Sequence, residues 1–226
     1  PRGSDMSGYF FSKFPESIVD VDLSRATPPQ SFQEPFIAKV PSGACREPSL
    51  RDRVPFASGN GTALAPFVIC NKDQFLEMLR KTRTVLPGVP KPVFRLRDNL
   101  DLSTIANYDN GSHSSFSVQN DCHRAIFEGN GYTIRGLVQA YEDRDSVGLF
   151  GCLQGVVTGL RVVDPVVIGR DRVGVIAGHF SGRISNVSVI SHDRSATISG
   201  RSYVGGLVGL AEAGTFENSG VYRLSV

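Results

Sequence analysis

Three arginines, Arg144, Arg170 and Arg201, recur at intervals of 26 and 31 residues and are followed by Asp145, Asp171 and Ser202. A guanidinium is a planar fork of donors that matches carboxylate, sulfate or phosphate oxygens two at a time. Brought into one line, three such groups would suit the acidic substituents of an extended glycan. The adjoining aspartates allow a second outcome, a self-neutralising charge ladder on a solvated turn, in which each exposed pair is worth only ~0–1 kcal/mol. Cys152 and His179 also fall at corresponding repeat positions, and a Cys beside a His is the minimum of a nucleophile and its base. Leu210 takes the same place in the next repeat, which points to packing rather than catalysis.

The remaining reactive side chains form no pattern. Asp164, Asp193, Glu212 and Glu217 are scattered along the chain, without the paired carboxylates that glycoside cleavage needs. None of His113, His123, His179 or His192 is followed by Glu, so the zinc-protease signature H-E-x-x-H is absent. The four cysteines show no C-x-x-C spacing and therefore no zinc-ribbon or thioredoxin pattern. The expectation is a chain with no catalytic residues, no metal and no cofactor. One disulfide is expected, joining Cys70 to either Cys45 or Cys122 and fastening the N-terminal part, with Cys152 left as a thiol in the core.

What would position these side chains is a repeat. VGVIAG at Val173–Gly178 returns as VGGLVG at Val204–Gly209 and, one residue shorter, as VGLFG at Val147–Gly151. Self-similarity at such intervals marks stacked units, each unable to bury its apolar face alone. Stacking places Val147, Val173 and Val204 in one column and assigns Val187, Val189, Ile198 and Val221 to others. Gly148, Gly174 and Gly205 then mark corners without room for a side chain. Asn186 and Asn218 occupy matching positions, with Gly159 in their place one repeat earlier. An antiparallel sandwich explains the apolar alternation but not one motif returning.

Upstream the character changes. Residues 1–6, PRGSDM, look like what an expression vector's protease-site linker leaves behind. Residues 7–60 are an irregular extension, broken by Pro15, Pro28, Pro29, Pro35, Pro41, Pro48 and Pro55 before any helix could form. Residues 61–92 are a capping segment: Asn71 is a helix N-cap with Gln74 three positions on, and Phe75, Met78 and Leu79 share one face. Such a helix would cover the open end of a solenoid. Residues 93–226 carry the coils, beginning with VFRLRDNLDLS and AIFEGNGYTIRGLV, and stop inside a strand-like run, as a piece of a longer solenoid would.

The order of these motifs is distinctive: G-T-x-x-x-P-F-x-I, a short helix, N-L-D-L-S, F-E-G-N-G-Y-T-I-x-G-L, then V-G-x-L-V-G units. From about Gly61 to Val226 the chain resembles the GLUG-repeat β-helix proteins. Those are large bacterial surface and secreted proteins, many described as adhesins, and similar repeats accompany immunoglobulin A1-specific metallopeptidases. The resemblance implies a right-handed parallel β-helix displayed outside a bacterial cell.

Composition sets the bounds. The 226 residues are 40% hydrophobic and 20% charged, with a formal net charge of +2. That balance gives no electrostatic reason for a nucleic-acid partner, and no apolar run is long enough for membrane insertion. The expected function is an extracellular adhesin or adhesin-stalk module, touching a surface glycan or another host or prey cell-surface molecule along the arginines. A polysaccharide lyase or hydrolase on the same scaffold is the alternative, and a structural spacer the third.

Overall fold

The computed structural model describes residue 45 and residues 55–83, 85–111, 122–192 and 196–222. Strand β1 (Phe67–Ile69) leads into helix α1 (Lys72–Thr82), after which, among the described residues, everything regular is strand: β2 (Val93–Leu96), β3 (Leu100–Asp101), β4 (Ile126–Glu128), β5 (Thr133–Arg135) and β6 (Val138–Ala140), then β7 (Phe150–Val163), β8 (Val166–Ile168) and β9 (Asp171–Gly174). The last two coils hold β10 (Ala177–Ile190), β11 (Thr197–Ser199), β12 (Ser202–Gly205), β13 (Val208–Glu217) and β14 (Gly220–Tyr222). Every pairing between these strands is parallel. The chain is a β-solenoid of about 5 turns with one short helix, as the repeat predicts.

One face stacks β1, β2, β4, β7, β10 and β13; a second stacks β6, β8 and β11; a third pairs β9 with β12. Long strands β7 and β10 bend between two faces, at Gly159 and Asn186, and pair in register on both sides of the bend, Ser185 with Thr158 and Val187 with Leu160. The backbone turns there through the left-handed region, with φ of 53° at Asn130, 62° at Gly159, 53° at Asn186 and 45° at Asn218. Gly and Asn are the residues that enter this region at little cost, so the recurrence of Asn and Gly at this place is the signature of one stacked corner.

Parallel register converts sequence intervals into vertical columns. Val147 faces Val173, and Val173 faces Val204, as expected from the repeat. Leu100, Ile134, Val162, Val189 and Val221 form a second column, and Phe94, Phe127, Val157 and Ile184 a third. All four members of the third are fully buried. Each such side chain stabilises by ~1.5–3 kcal/mol on burial, and its neighbours above and below supply the apolar walls.

Helix α1 begins as the sequence predicts. The Asn71 side chain accepts from the Gln74 amide at 2.9 Å, and Gln74 Oε1 reaches back to the Cys70 amide at 2.7 Å. Phe75, Met78 and Leu79 are buried, and the Phe75 ring meets Tyr108 and Phe127 edge-on at 5.8 and 6.3 Å. No described helix is long and apolar enough to cross a membrane.

Two disulfides are present, Cys45–Cys70 and Cys122–Cys152. Of the two partners considered for Cys70 the structure selects Cys45. The expectation that Cys152 stays a thiol is overturned, because the bridge segment carrying Cys122 pairs directly with β7: the His123 amide donates to the Cys152 carbonyl at 2.9 Å. That pairing brings the two Cα atoms to 4.5 Å, within bridging distance.

Candidate functional site

The arginines stand in line. The Arg170 amide donates to the Arg144 carbonyl at 2.7 Å, and the Arg201 amide to the Arg170 carbonyl at 2.6 Å. The guanidinium groups of Arg170 and Arg201, however, turn to the preceding coil. Arg170 Nε donates to Asp145 at 2.7 Å, and Arg201 donates through Nε and Nη2 to both oxygens of Asp171 at 3.2 and 2.6 Å. The Arg201 hydrogen bonds hold the Asp171 carboxyl below its ordinary range. Arg144, on the first coil of the line, lies over the Tyr141 ring, 4.0 Å from its centroid. The column the sequence predicts is therefore real, and its geometry is that of the charge ladder.

Arg172, one residue past Asp171, is the member sequence reading missed. It is a buried arginine with a left-handed backbone, φ 58°. Its Nη2 lies 3.2 Å from Asp145 Oδ2, and its Nε donates to Ser146 Oγ at 3.0 Å. Ser146 and Tyr203, at the same corner on neighbouring coils, share the left-handed φ, 59° and 54°. No Gly or Asn marks this corner, so the chain carried no signal for it.

The second cluster gathers around Cys152. His179 pairs with Cys152 in register, and Leu210 follows on the next coil. The His179 Nδ1 is 3.4 Å from Cys152 Sγ, and its Nε2 is 3.2 Å from Glu212 Oε1. Burial, chiefly, lowers the His179 pKa; the nearby charge of Arg172 pushes the same way and Glu212 opposes it. With Cys152 bonded to Cys122, the sulfur is no free nucleophile and the pair is not a cysteine–histidine dyad in the oxidised protein. Cys122, Cys152 and His179 together offer three donor atoms within 4.8 Å of one another.

Three of the four carboxylates considered for acid–base work have a basic neighbour. Asp164 lies beside His192 at 3.4 Å, Glu217 accepts from Arg183, and Glu212 faces His179. Asp193 and His113 lie outside the described residues. His123 is fully buried: its Nε2 is 3.0 Å from the Asn110 carbonyl and its Nδ1 2.9 Å from Thr82 Oγ1. It joins α1 to the first coils and takes no part in either cluster.

No family model matches the chain. Over 160 residues, 69% of its length, the chain is 30% identical to halomucin of Haloquadratum walsbyi, and that stretch is 2% of halomucin. A solved structure from Bacteroides ovatus, provisionally named an immunoglobulin A1 protease, superposes with a TM-score of 0.53 at 21% identity, over 74% of this chain and 60% of that one. The second likeness is one of fold. The chain thus spans less than two thirds of each of these proteins.

Proposed function

We propose that this chain is an extracellular adhesin or adhesin-stalk module of the GLUG-repeat type, a rigid β-solenoid that projects or presents a contact surface from a cell. The observation that carries the reading is the in-register stack bridged by Cys45–Cys70 and Cys122–Cys152. Such bridges persist in oxidising, extracytoplasmic surroundings, and a stack in which each coil pairs with the next transmits position along its axis. The similarity of 160 residues to a stretch of the far longer halomucin supports a modular part of a large surface protein.

Glycan contact belongs on the arginine edge and above all on Arg144, whose guanidinium lies on Tyr141 and, among the described residues, forms no ion pair with a carboxylate. An acidic sugar would meet a cation and an aromatic face together there, a weak and salt-sensitive contact. The test is a glycan array run beside turnover assays on acidic polysaccharides. Retention at low salt that disappears when Arg144, Arg170 and Arg201 are all replaced by Ser supports the adhesin; retention unchanged by that replacement removes the arginine contact. Cleavage of the polysaccharide would instead identify a carbohydrate-active enzyme, and neither binding nor cleavage a spacer.

A further inference from the structure

We propose that the Cys122–Cys152 bridge and His179 are a latent metal site: once the disulfide is reduced, the two sulfurs and the His179 Nδ1 take up one Zn2+ ion. The three donors come from separate segments held together by parallel pairing, His123 to Leu153 and His179 to Cys152. Cys122, Cys152 and His179 are all buried. The site is therefore built into the stack and not formed by flexible loops.

The distances suit tetrahedral zinc. With Zn–S near 2.3 Å and Zn–N near 2.0 Å, adjacent sulfur and nitrogen ligands should lie ~3.5 Å apart, and Cys152 Sγ to His179 Nδ1 is 3.4 Å. The two sulfurs must separate to ~3.7 Å, which side-chain rotation can supply once their bond is broken. The second observation lies behind the imidazole. Histidines that ligate metals usually present their other ring N–H to a carboxylate, which fixes the tautomer and orients the lone pair. Glu212 Oε1 stands 3.2 Å from His179 Nε2, near but outside hydrogen-bond geometry in the disulfide form; with the proton on Nε2, Nδ1 would keep its lone pair on the side of Cys152, whose sulfur is 3.4 Å away.

The chemistry balances in two steps. A trialkylphosphine and water deliver two electrons and two protons to the disulfide, giving two thiols and the phosphine oxide. Zn2+ then displaces the two thiol protons, leaving two thiolates whose charges cancel that of the ion. His179 contributes a neutral nitrogen.

Cobalt(II) is the probe, because thiolate ligation gives it a charge-transfer band and tetrahedral geometry gives intense visible absorption. The intact chain is reduced with the phosphine, freed of it without air, and titrated with Co2+ while circular dichroism follows the β signal. We expect one equivalent bound by the reduced protein and none by the oxidised one. The site should survive in C45S/C70S, vanish in C122S/C152S, and bind ~10-fold more weakly in Glu212→Gln and more weakly still in His179→Ala. Absence of the charge-transfer band in the reduced wild type overturns the proposal. So does a band that follows Cys45 and Cys70 instead, one indifferent to His179→Ala, or loss of the β signal on reduction that Co2+ does not restore.

Discussion

Gly159 and Asn186 occupy the same corner on successive coils and hold nearly the same left-handed backbone, φ 62° and 53°. A Cβ added at Gly159 would meet nothing closer than the Asn130 amide nitrogen at 3.5 Å, an ordinary contact. Glycine is thus favoured here by its positive φ and not by lack of space. Gly159→Asn should extend the asparagine column at a small cost, about 0.5 kcal/mol, because Asn is the side chain that enters the left-handed region most readily yet still less freely than Gly. Calorimetry should show the melting temperature falling by ~1–2 °C; a rise would mean that the restricted unfolded chain outweighs the strain.

Asp145 and Asp171 look equivalent in the repeat and are not. Asp145 and Arg172 each expose 5% of their side chains, whereas Arg201, the partner of Asp171, is 70% exposed. Removing one member of a buried pair leaves the other charge facing a poor solvent, at a cost of ~3–5 kcal/mol. Asp145→Asn should therefore lower the urea midpoint strongly, while Asp171→Asn should change stability by less than ~1 kcal/mol. Equal effects would show that Arg172 is solvated in solution.

The Cys122–Cys152 bridge joins residues 30 apart and Cys45–Cys70 residues 25 apart. Loop closures of this size are each worth ~3–4 kcal/mol in the chain-entropy account. C122S/C152S should cost more than C45S/C70S, because its bridge ties two neighbouring coils together inside the stack. Thiol counting on the oxidised, denatured chain should return none of the four, and unfolding midpoints of the two double variants should rank as stated. Four free thiols would remove both bridges.

These cases show where the sequence was legible. Motif recurrence reports stacking directly, so the Val147–Val173–Val204 column, the arginine line and the Cys152–His179 register could all be read by counting residues. The Asn71 cap was legible because its chemistry is local. Cys122 was not, since it precedes the first V-G motif and no repeat interval ties it to Cys152. Arg172 was hidden for another reason: beside Asp171 it reads as one more charge on a turn. Only the left-handed corner at Ser146 and Arg172 folds that side chain inward onto Asp145.

His123 links acidity to stability. Burial, its main cause, lowers the His123 pKa from 6.5 to about 4. Between those values the unfolded chain holds a proton that the folded chain does not, so stability is complete above pH ~6.5 and is lost as the pH falls toward ~4. A difference of roughly 2.5 units corresponds to about 3 kcal/mol. His179, also lowered by burial, contributes with the same sign. His123→Gln keeps hydrogen-bonding capacity toward Thr82 and the Asn110 carbonyl but cannot titrate. The variant should be less stable than the parent at pH 7 and should lose much less between pH 6.5 and 4, so that the two urea midpoints converge in acid. Parallel pH profiles for parent and variant would show that the imidazole is already protonated, or already hydrated, in the native state.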